Sequence, residues 1–405
     1  MNDTVAPVVS PRRRLLLTIV LAYAGFVALG LANSVMGVAW PSVRATFGMP
    51  IDALGIVLIG NTAGYMIASA SSGRLIARLH MSVVLALSCG IVAVSLIGSG
   101  SAPAWLVLVL LSFTTGLGAG AIDAGLNAYA AEHFSARAMN WLHACFGIGA
   151  TLGPAIMTAA VASPVGWRAG FWAIGIVQLV LAIGFSFTRS LWQRPGIHSD
   201  THPGQRSAPL TETLQLPVAW LGILLFFVYT GAEIGVGQWV YSLLTEARGV
   251  SSVLAGTWIS LYWASLTVGR VLFGFVVHRI APVTLLRWSM VGAVLSALLI
   301  WLNITLWLTF VGIALMGVAL APQFPLLISA TPDYLGARHA ANGVGFQVAA
   351  ASLGGALLPS LIGVLARADG LEVLGPFLTG ITLVMTLVFE VLARRMQKGE
   401  RQSAG

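Results

Sequence analysis

Two carboxylates lie in long apolar stretches of this sequence, where they are the side chains most able to do chemistry. Asp123 lies in GLGAGAIDAGLNAYAAEHF with Asn127 four residues later, so an α-helix places both on one face. Glu233 lies in the glycine-rich stretch YTGAEIGVGQW. An ionised carboxylate in hydrocarbon costs about 2.5–3.5 kcal/mol even on insertion scales. We therefore expect each to bind polar groups of a solute, to take up a proton, or both; a structural hydrogen bond to a neighbouring helix is the alternative.

Further polar residues in the apolar stretches extend this candidate binding set. The glycines around Glu233 predict an unwound segment that turns Gln238 and Trp239 towards the same cavity as Glu233. The amide could pair with two hydroxyl groups of a polar solute, and the indole face could stack on an apolar face of the solute. Packing of small residues between helices is the alternative explanation of the glycines. The other candidates are polar residues that we expect to face the interior or to mark an interrupted helix: Asn33, His143, Gln323, Asn342 and Gln347.

The composition indicates what kind of element positions these residues. Of 405 residues, 58% are hydrophobic and 8% are charged, whereas soluble domains average about 25% charged residues. Apolar runs of about 18 residues or more, each able to cross roughly 30 Å of hydrocarbon as a helix, are centred near Val27, Gly60, Gly90, Leu111, Gly149, Ile176, Phe227, Ser260, Val291, Val311, Ala351 and Thr382. The sequence therefore predicts an all-α membrane protein with twelve transmembrane helices, which we call spans 1–12.

The net charge of +8 does not indicate a nucleic-acid partner, because the basic residues gather in alternate short loops. The other set of loops holds only Arg44, Arg168, Arg248 and Arg367. The positive-inside rule then predicts a multi-pass protein of the bacterial inner membrane with both termini in the cytoplasm. Both cysteines, Cys89 and Cys145, fall within spans, so neither a disulfide framework nor a metal site is expected. No cofactor is indicated.

The sequence also indicates an internal duplication. A polar stretch at 191–215 is predicted to be a cytoplasmic linker. It separates a six-span half at 1–190 from a second six-span half at 216–405. A shift of 201 residues (274 − 73) superimposes three separated marks: Gly73 and Arg78 on Gly274 and Arg279, Gly116 on Gly317, and Ala136-Arg137 on Ala337-Arg338. Tandem six-span halves form a common transporter architecture, with the solute site between them near the midplane.

The loops after spans 2 and 8 resemble the Gly-x-x-x-Asp-Arg signature of the major facilitator superfamily, with Ala77 and His278 at the Asp positions. The stretches GLGAGAIDAGLNAY, NWLHACFGIGATLGP, YTGAEIGVGQW, GRVLFG and APQFPLLIS resemble the fucose/glucose-type sugar symporter branch. The resemblance implies two pseudo-symmetric halves and makes Asp123 the span-4 carboxylate that binds substrate and proton. One departure is Gly37, because fucose-type members carry an aspartate at this place in span 1. Arg78 and Arg279 are expected to form a cytoplasmic gate.

These observations predict a secondary active transporter, a monomer in the lipid bilayer, that takes up a hexose-like sugar with protons by alternating access. Asp123 and Glu233 are the predicted proton-coupling residues, and sodium is the other ion considered. A proton-coupled exporter of drugs or amphiphilic metabolites and a non-transporting receptor are the alternatives. An enzyme is not expected, because the sequence has no phosphate-binding Gly-x-x-x-x-Gly-Lys loop and no His-Glu-x-x-His pair.

Overall fold

The computed structural model describes residues 11–192, 208–276 and 279–403. Part of the predicted linker and His278 of the second signature loop lie outside these ranges. The α-helices in them are α1 Pro11–Ser34, α2 Met36–Phe47, α3 Leu54–Arg78, α4 Met81–Gly100, α5 Trp105–His133, α6 Ala136–Val161, α7 Trp167–Phe187, α8 Leu210–Leu214, α9 Pro217–Ser242, α10 Ser252–Val276, α11 Pro282–Leu302, α12 Leu306–Leu320, α13 Gln323–Ser329, α14 Thr331–Leu335, α15 Ala337–Asp369 and α16 Leu374–Ser403.

Twelve helical segments in the described residues are long and apolar enough to cross a membrane. Spans 1–6 are α1 with its continuation α2, then α3, α4, α5, α6 and α7; spans 7–12 are α9, α10, α11, α12 with α13, α15 and α16. Six of these segments end by Phe187 and six begin at or after Pro217. The predicted all-α fold with twelve transmembrane helices is confirmed.

The two sets of six spans repeat one close helix contact at the predicted offset. A Cβ added to Gly116 in span 4 would lie 1.9 Å from the carbonyl oxygen of Asn61 in span 2. A Cβ added to Gly317 in span 10 would lie 2.5 Å from the carbonyl oxygen of Tyr262 in span 8. The two contacts are related by the shift of 201 residues, which separates the two glycines (317 − 116) and also the two residues that they approach (262 − 61). Glycine is needed at both places because the backbones approach too closely for any side chain.

Span 7 differs from the sequence-based expectation. Its helix α9 is continuous from Pro217 to Ser242, and a single π-turn, Leu243–Ala247, follows it. The prediction of an unwound segment near Glu233 is therefore wrong. The glycines instead allow close packing, with Gly231 against Leu358 and Gly237 against the indole of Trp263.

The two sets of spans are joined by ion pairs at the end that carries few basic residues, which the sequence predicts to be external. Arg44, after span 1, donates to Glu246 after span 7 at 2.6 Å. Arg367, at the end of span 11, lies 3.1 Å from Asp52 before span 2. At the opposite end, the described residues contain no ion pair of Arg78 or Arg279.

Candidate functional site

Asp123 is partly buried in span 4 and accepts two hydrogen bonds. The hydroxyl of Tyr65 in span 2 donates to Oδ2 at 2.5 Å, and Nδ2 of Asn127 donates to Oδ1 at 3.0 Å. Tyr65 can reach the carboxylate because a Cβ at Gly120 would lie only 2.4 Å from the Tyr65 carbonyl oxygen, so spans 2 and 4 nearly touch. The helical face predicted for Asp123 and Asn127 is therefore present, and both side chains meet on it.

His143 in span 5 connects this carboxylate to the other set of spans. Its imidazole interacts electrostatically with Asp123 on one side and with Arg270 of span 8 on the other. The ring packs edge-on against Phe26 with 5.6 Å between centroids, and the side chain is exposed. His143 is therefore close enough to interact both with the acid of the first set of spans and with the guanidinium of the second.

Glu233 lies in span 7 as the more buried partner of an ion pair. Its residue is 8% exposed, and Nη2 of Arg270 lies 3.5 Å from its Oε2. The hydroxyl of Tyr229 donates to the same oxygen, and the hydroxyl of Tyr262 donates to the Glu233 carbonyl oxygen at 2.9 Å. Because the Arg270 side chain is 31% exposed, removing one partner should cost less than the value of about 3–5 kcal/mol that is typical of a fully buried pair.

Arg270 is the functional candidate that our sequence analysis missed. It appears in the stretch GRVLFG but lies within the span-8 helix Ser252–Val276, so it belongs to neither set of loops. The signal was available, because a cation inside an apolar span is as costly as the acids that we singled out. Its Nε is buried and has no hydrogen-bond partner among the described residues.

A second polar space lies beside span 1. It is a cavity of about 60 Å³ whose polar lining includes Asn33, Asn61, Ser112, Thr115 and Gln238. Gln238 is 4% exposed, and its Oε1 accepts no hydrogen bond from the residues that the structure describes. The hydroxyls of Ser112 and Thr115 donate back to backbone carbonyls of their own helix. Oxygen lone pairs therefore remain for a donor such as a solute hydroxyl or a water.

The structure does not bring Trp239 to either space. The residue is 0% exposed, and its Nε1 donates to the carbonyl oxygen of Pro359 in span 11 at 2.8 Å. The ring also fills the space above Gly363. Because α9 stays helical, Trp239 points to span 11 while Gln238 lines the cavity next to span 1. In this conformation the indole contributes packing.

Asn342 and Gln347 are also placed away from the central residues. Asn342 Nδ2 donates to the Ala208 carbonyl at 2.7 Å and thereby fastens the segment before span 7. The Gln347 side chain is hydrogen-bonded at both ends, by Thr331 to its Oε1 at 2.9 Å and through its Nε2 to Tyr334.

Gln323 is fully buried in span 10, at the start of α13, and donates to the Ala319 carbonyl at 3.1 Å. Its Oε1 has no partner among the described residues, so this amide has an unused acceptor.

Relatives among known proteins cover almost the whole chain. "Bypass of stop codon protein 6" of Saccharomyces cerevisiae is 26% identical over 93% of this chain and 82% of its own length. Human "Sodium-dependent glucose transporter 1" is 23% identical over 94% and 81%, respectively. The Bacillus subtilis "Glucose/mannose transporter GlcP" is 24% identical over 85% and 87%.

Solved structures agree on the fold. A bacterial homologue of the human lysosomal transporter Spinster, in an inward-facing and occupied conformation, aligns with a TM-score of 0.76 at 14% identity, covering 97% of this chain and 98% of that one. The model of the Major Facilitator Superfamily matches residues 21–359 and 241–405. Together with the twelve spans, this match places the chain in the Major Facilitator Superfamily, as a membrane transporter and not an enzyme.

Proposed function

We propose that the protein is a secondary active transporter that takes up a hexose-like sugar together with a proton. The halves at 1–190 and 216–405 would alternate the access of a solute site between them. The names of the relatives support a sugar, since glucose and mannose appear in those of two curated relatives. The observation that carries the proposal is the Asp123 site, a partly buried carboxylate with hydrogen-bond donors but no ion-pair partner in the described part of the chain.

Asp123 is the group to which we assign the coupling proton. Solute binds while Asp123 is protonated, the halves rock, and release on the other side of the membrane frees the proton. A neutral carboxyl group is much cheaper to enclose in a low-dielectric cavity than an ionised one. The closed, solute-loaded state therefore favours the protonated form, and this preference links the two fluxes.

A proton suits this carboxylate better than a sodium ion. Both carboxylate oxygens of Asp123 accept from donors, the Tyr65 hydroxyl and the Asn127 amide. A bound cation requires several oxygen atoms directed at it, and donor N–H and O–H groups point their hydrogens the wrong way. The word sodium in the names of relatives makes a sodium gradient the necessary control.

The solute contacts that we propose come from both sets of spans. Asn33 and Gln238 line the same cavity, the first from span 1 and the second from span 7. Asn127 donates to Asp123, and His143 interacts with it electrostatically. Arg270, the ion-pair partner of Glu233, interacts with His143 from the other set of spans. Amide groups on two opposed walls can bind the hydroxyls around a sugar ring, and they lose these contacts when the walls separate.

We propose one gate at each end of the spans. The pairs Arg44–Glu246 and Arg367–Asp52 hold the predicted external end together in this conformation. Arg78 and Arg279 would close the cytoplasmic end in the opposite conformation. We retain the orientation with both termini in the cytoplasm, and a monomer as the transporting unit.

Uptake into liposomes that contain the purified protein tests the proposal. Labelled glucose, mannose and fucose are offered under an inward proton gradient, an inward sodium gradient, or neither. We expect accumulation of at least one sugar with the proton gradient and none when a protonophore collapses it. Accumulation with sodium alone would assign the coupling to sodium. Sugar binding without any flux would contradict transport, and efflux without uptake of sugar would favour the exporter.

A further inference from the structure

Arg270 in span 8 is paired with Glu233 of span 7, yet no step of the proposed uptake of solute and proton uses it. The guanidinium side chain is 31% exposed and contacts Glu233 of span 7 at a single distance of 3.5 Å. Its Nε remains buried without a partner. The titratable groups that interact with it are Tyr229 and Glu233 of span 7, Tyr262 of span 8 and His143 of span 5. The carboxylate of Asp123 in span 4 interacts in turn with His143.

The charges around the cavity are unequal in number. With neutral histidine and both acids ionised, two negative charges, Asp123 and Glu233, face one positive charge, Arg270. The Glu233–Arg270 pair cancels itself, and the charge of Asp123 remains. An uncancelled charge is expensive to enclose, and a proton on Asp123 removes it.

The partners of the ion pair move together during alternating access. Glu233 and Arg270 both belong to the second set of six spans, and two tyrosines of that same set bind Glu233, Tyr229 at its carboxylate and Tyr262 at its carbonyl. Rocking of one half against the other leaves such a pair intact. Asp123 and His143 belong to the first set, so the distance between them and Arg270 changes with each rocking motion.

We propose that Arg270 is the charge-balancing residue of the cycle. It pairs with the carboxylate of Glu233 in every conformation, and so leaves Asp123 as the one carboxyl group whose charge a proton must cancel. The carrier then moves a single proton with each solute molecule. This inference rests on the proposed proton-coupled uptake.

The pair can be neutralised in three ways that separate charge from structure. Arg270→Gln leaves a largely buried carboxylate without a cation, and Glu233→Gln leaves a partly buried guanidinium without an anion. The double variant Glu233→Gln/Arg270→Gln removes both charges of the pair and leaves Asp123 as before. Because the contact with Glu233 is a single long one of 3.5 Å and not a bidentate pair, Arg270→Lys can supply the same charge.

The experiment measures accumulation, solute counterflow and the proton-to-solute ratio in liposomes, the ratio being taken from the membrane potential at which flux reverses. We expect each glutamine single variant to lose about tenfold or more of its accumulation, since an unpaired buried charge opposes closure. The double variant should recover to within about threefold of the parent, with an unchanged ratio of one, because neither charge of the pair is left without its partner. Arg270→Lys should keep that ratio at a lower rate.

Three results would overturn the inference. The first is full accumulation by Arg270→Gln. The second is a double variant that melts like the parent and exchanges solute in counterflow but does not accumulate it, because the pair would then carry the proton itself. The third is a folded Arg270→Lys whose proton-to-solute ratio differs from that of the parent. Failure of the proposed function looks different, because the unaltered protein would then show no proton-driven accumulation at all.

Discussion

Gly37 in span 1 lies directly against the backbone of Gly237 in span 7. A Cβ at Gly37 would come within 2.4 Å of the Gly237 carbonyl oxygen and 2.8 Å of the Gln238 Cα. The position at which fucose-type symporters carry an aspartate therefore has no room for a side chain in this conformation. The close crossing of spans 1 and 7 occupies the place of that carboxylate, and it also positions Gln238 beside the cavity.

Gly37→Ala should destabilise the protein, because the added methyl group forces the two backbones apart. Overpacking of this kind costs about 1–3 kcal/mol. Melting of the purified protein in detergent measures the effect, and Gly90→Ala is the control, since a Cβ at Gly90 meets nothing within 4 Å. Alanine there should be neutral or stabilising by up to about 1 kcal/mol. Equal melting temperatures for the two variants would contradict the crossing.

Asp123→Asn should keep the protein folded and abolish concentrative uptake, because an amide cannot gain and lose a proton. The asparagine can still accept from the Tyr65 hydroxyl, so the packing of spans 2 and 4 should persist. Counterflow, which needs no net proton movement, should continue. Accumulation against a gradient with unchanged pH dependence would remove Asp123 from the coupling step.

Neighbouring residues in span 7 should behave in opposite ways. Gln238→Ala should raise KM for solute about tenfold, since a lost hydrogen bond is worth roughly 1 kcal/mol or more, while the melting temperature changes little. Trp239→Phe should leave KM unchanged and lower stability, because the Pro359 carbonyl loses its donor. A weaker affinity of Trp239→Phe would restore the original expectation that the indole stacks on the sugar.

Arg44→Gln should shift the protein towards a conformation open at the predicted external end. Its pair with Glu246 is partly exposed and joins the two halves, so its contribution should be about 0.2–1 kcal/mol, or up to roughly fivefold in the ratio of conformations. Distances between spin labels attached at the external ends of spans 1 and 7 measure this ratio.

The matched control for this pair is Arg287→Gln. Arg287 and Glu390 have a similar exposure, but both belong to the second half, so their separation does not change when the halves rock. The control should leave the distance distribution unaltered. An equal shift in both variants would show that the effect is general loss of charge and not release of a gate.

The sequence by itself determined the features that depend on local physics. Twelve spans follow from the length and hydropathy of each segment, because a helix in lipid satisfies its own backbone hydrogen bonds. The meeting of Asp123 and Asn127 follows from helical periodicity alone. The shift of 201 residues (317 − 116) located Gly116 and Gly317, whose small size has the same role in each half.

Only the tertiary structure decided which way each side chain points and which groups pair. The rotation of a transmembrane helix about its axis is set by packing against its neighbours, so the sequence could not show that Trp239 faces span 11 while Gln238 faces span 1. The glycines of span 7 pack closely against spans 8 and 11, and the helix of span 7 remains uninterrupted. Arg270 and Glu233 lie 37 residues apart (270 − 233) on different helices, and their pairing exists only because spans 7 and 8 cross at that depth.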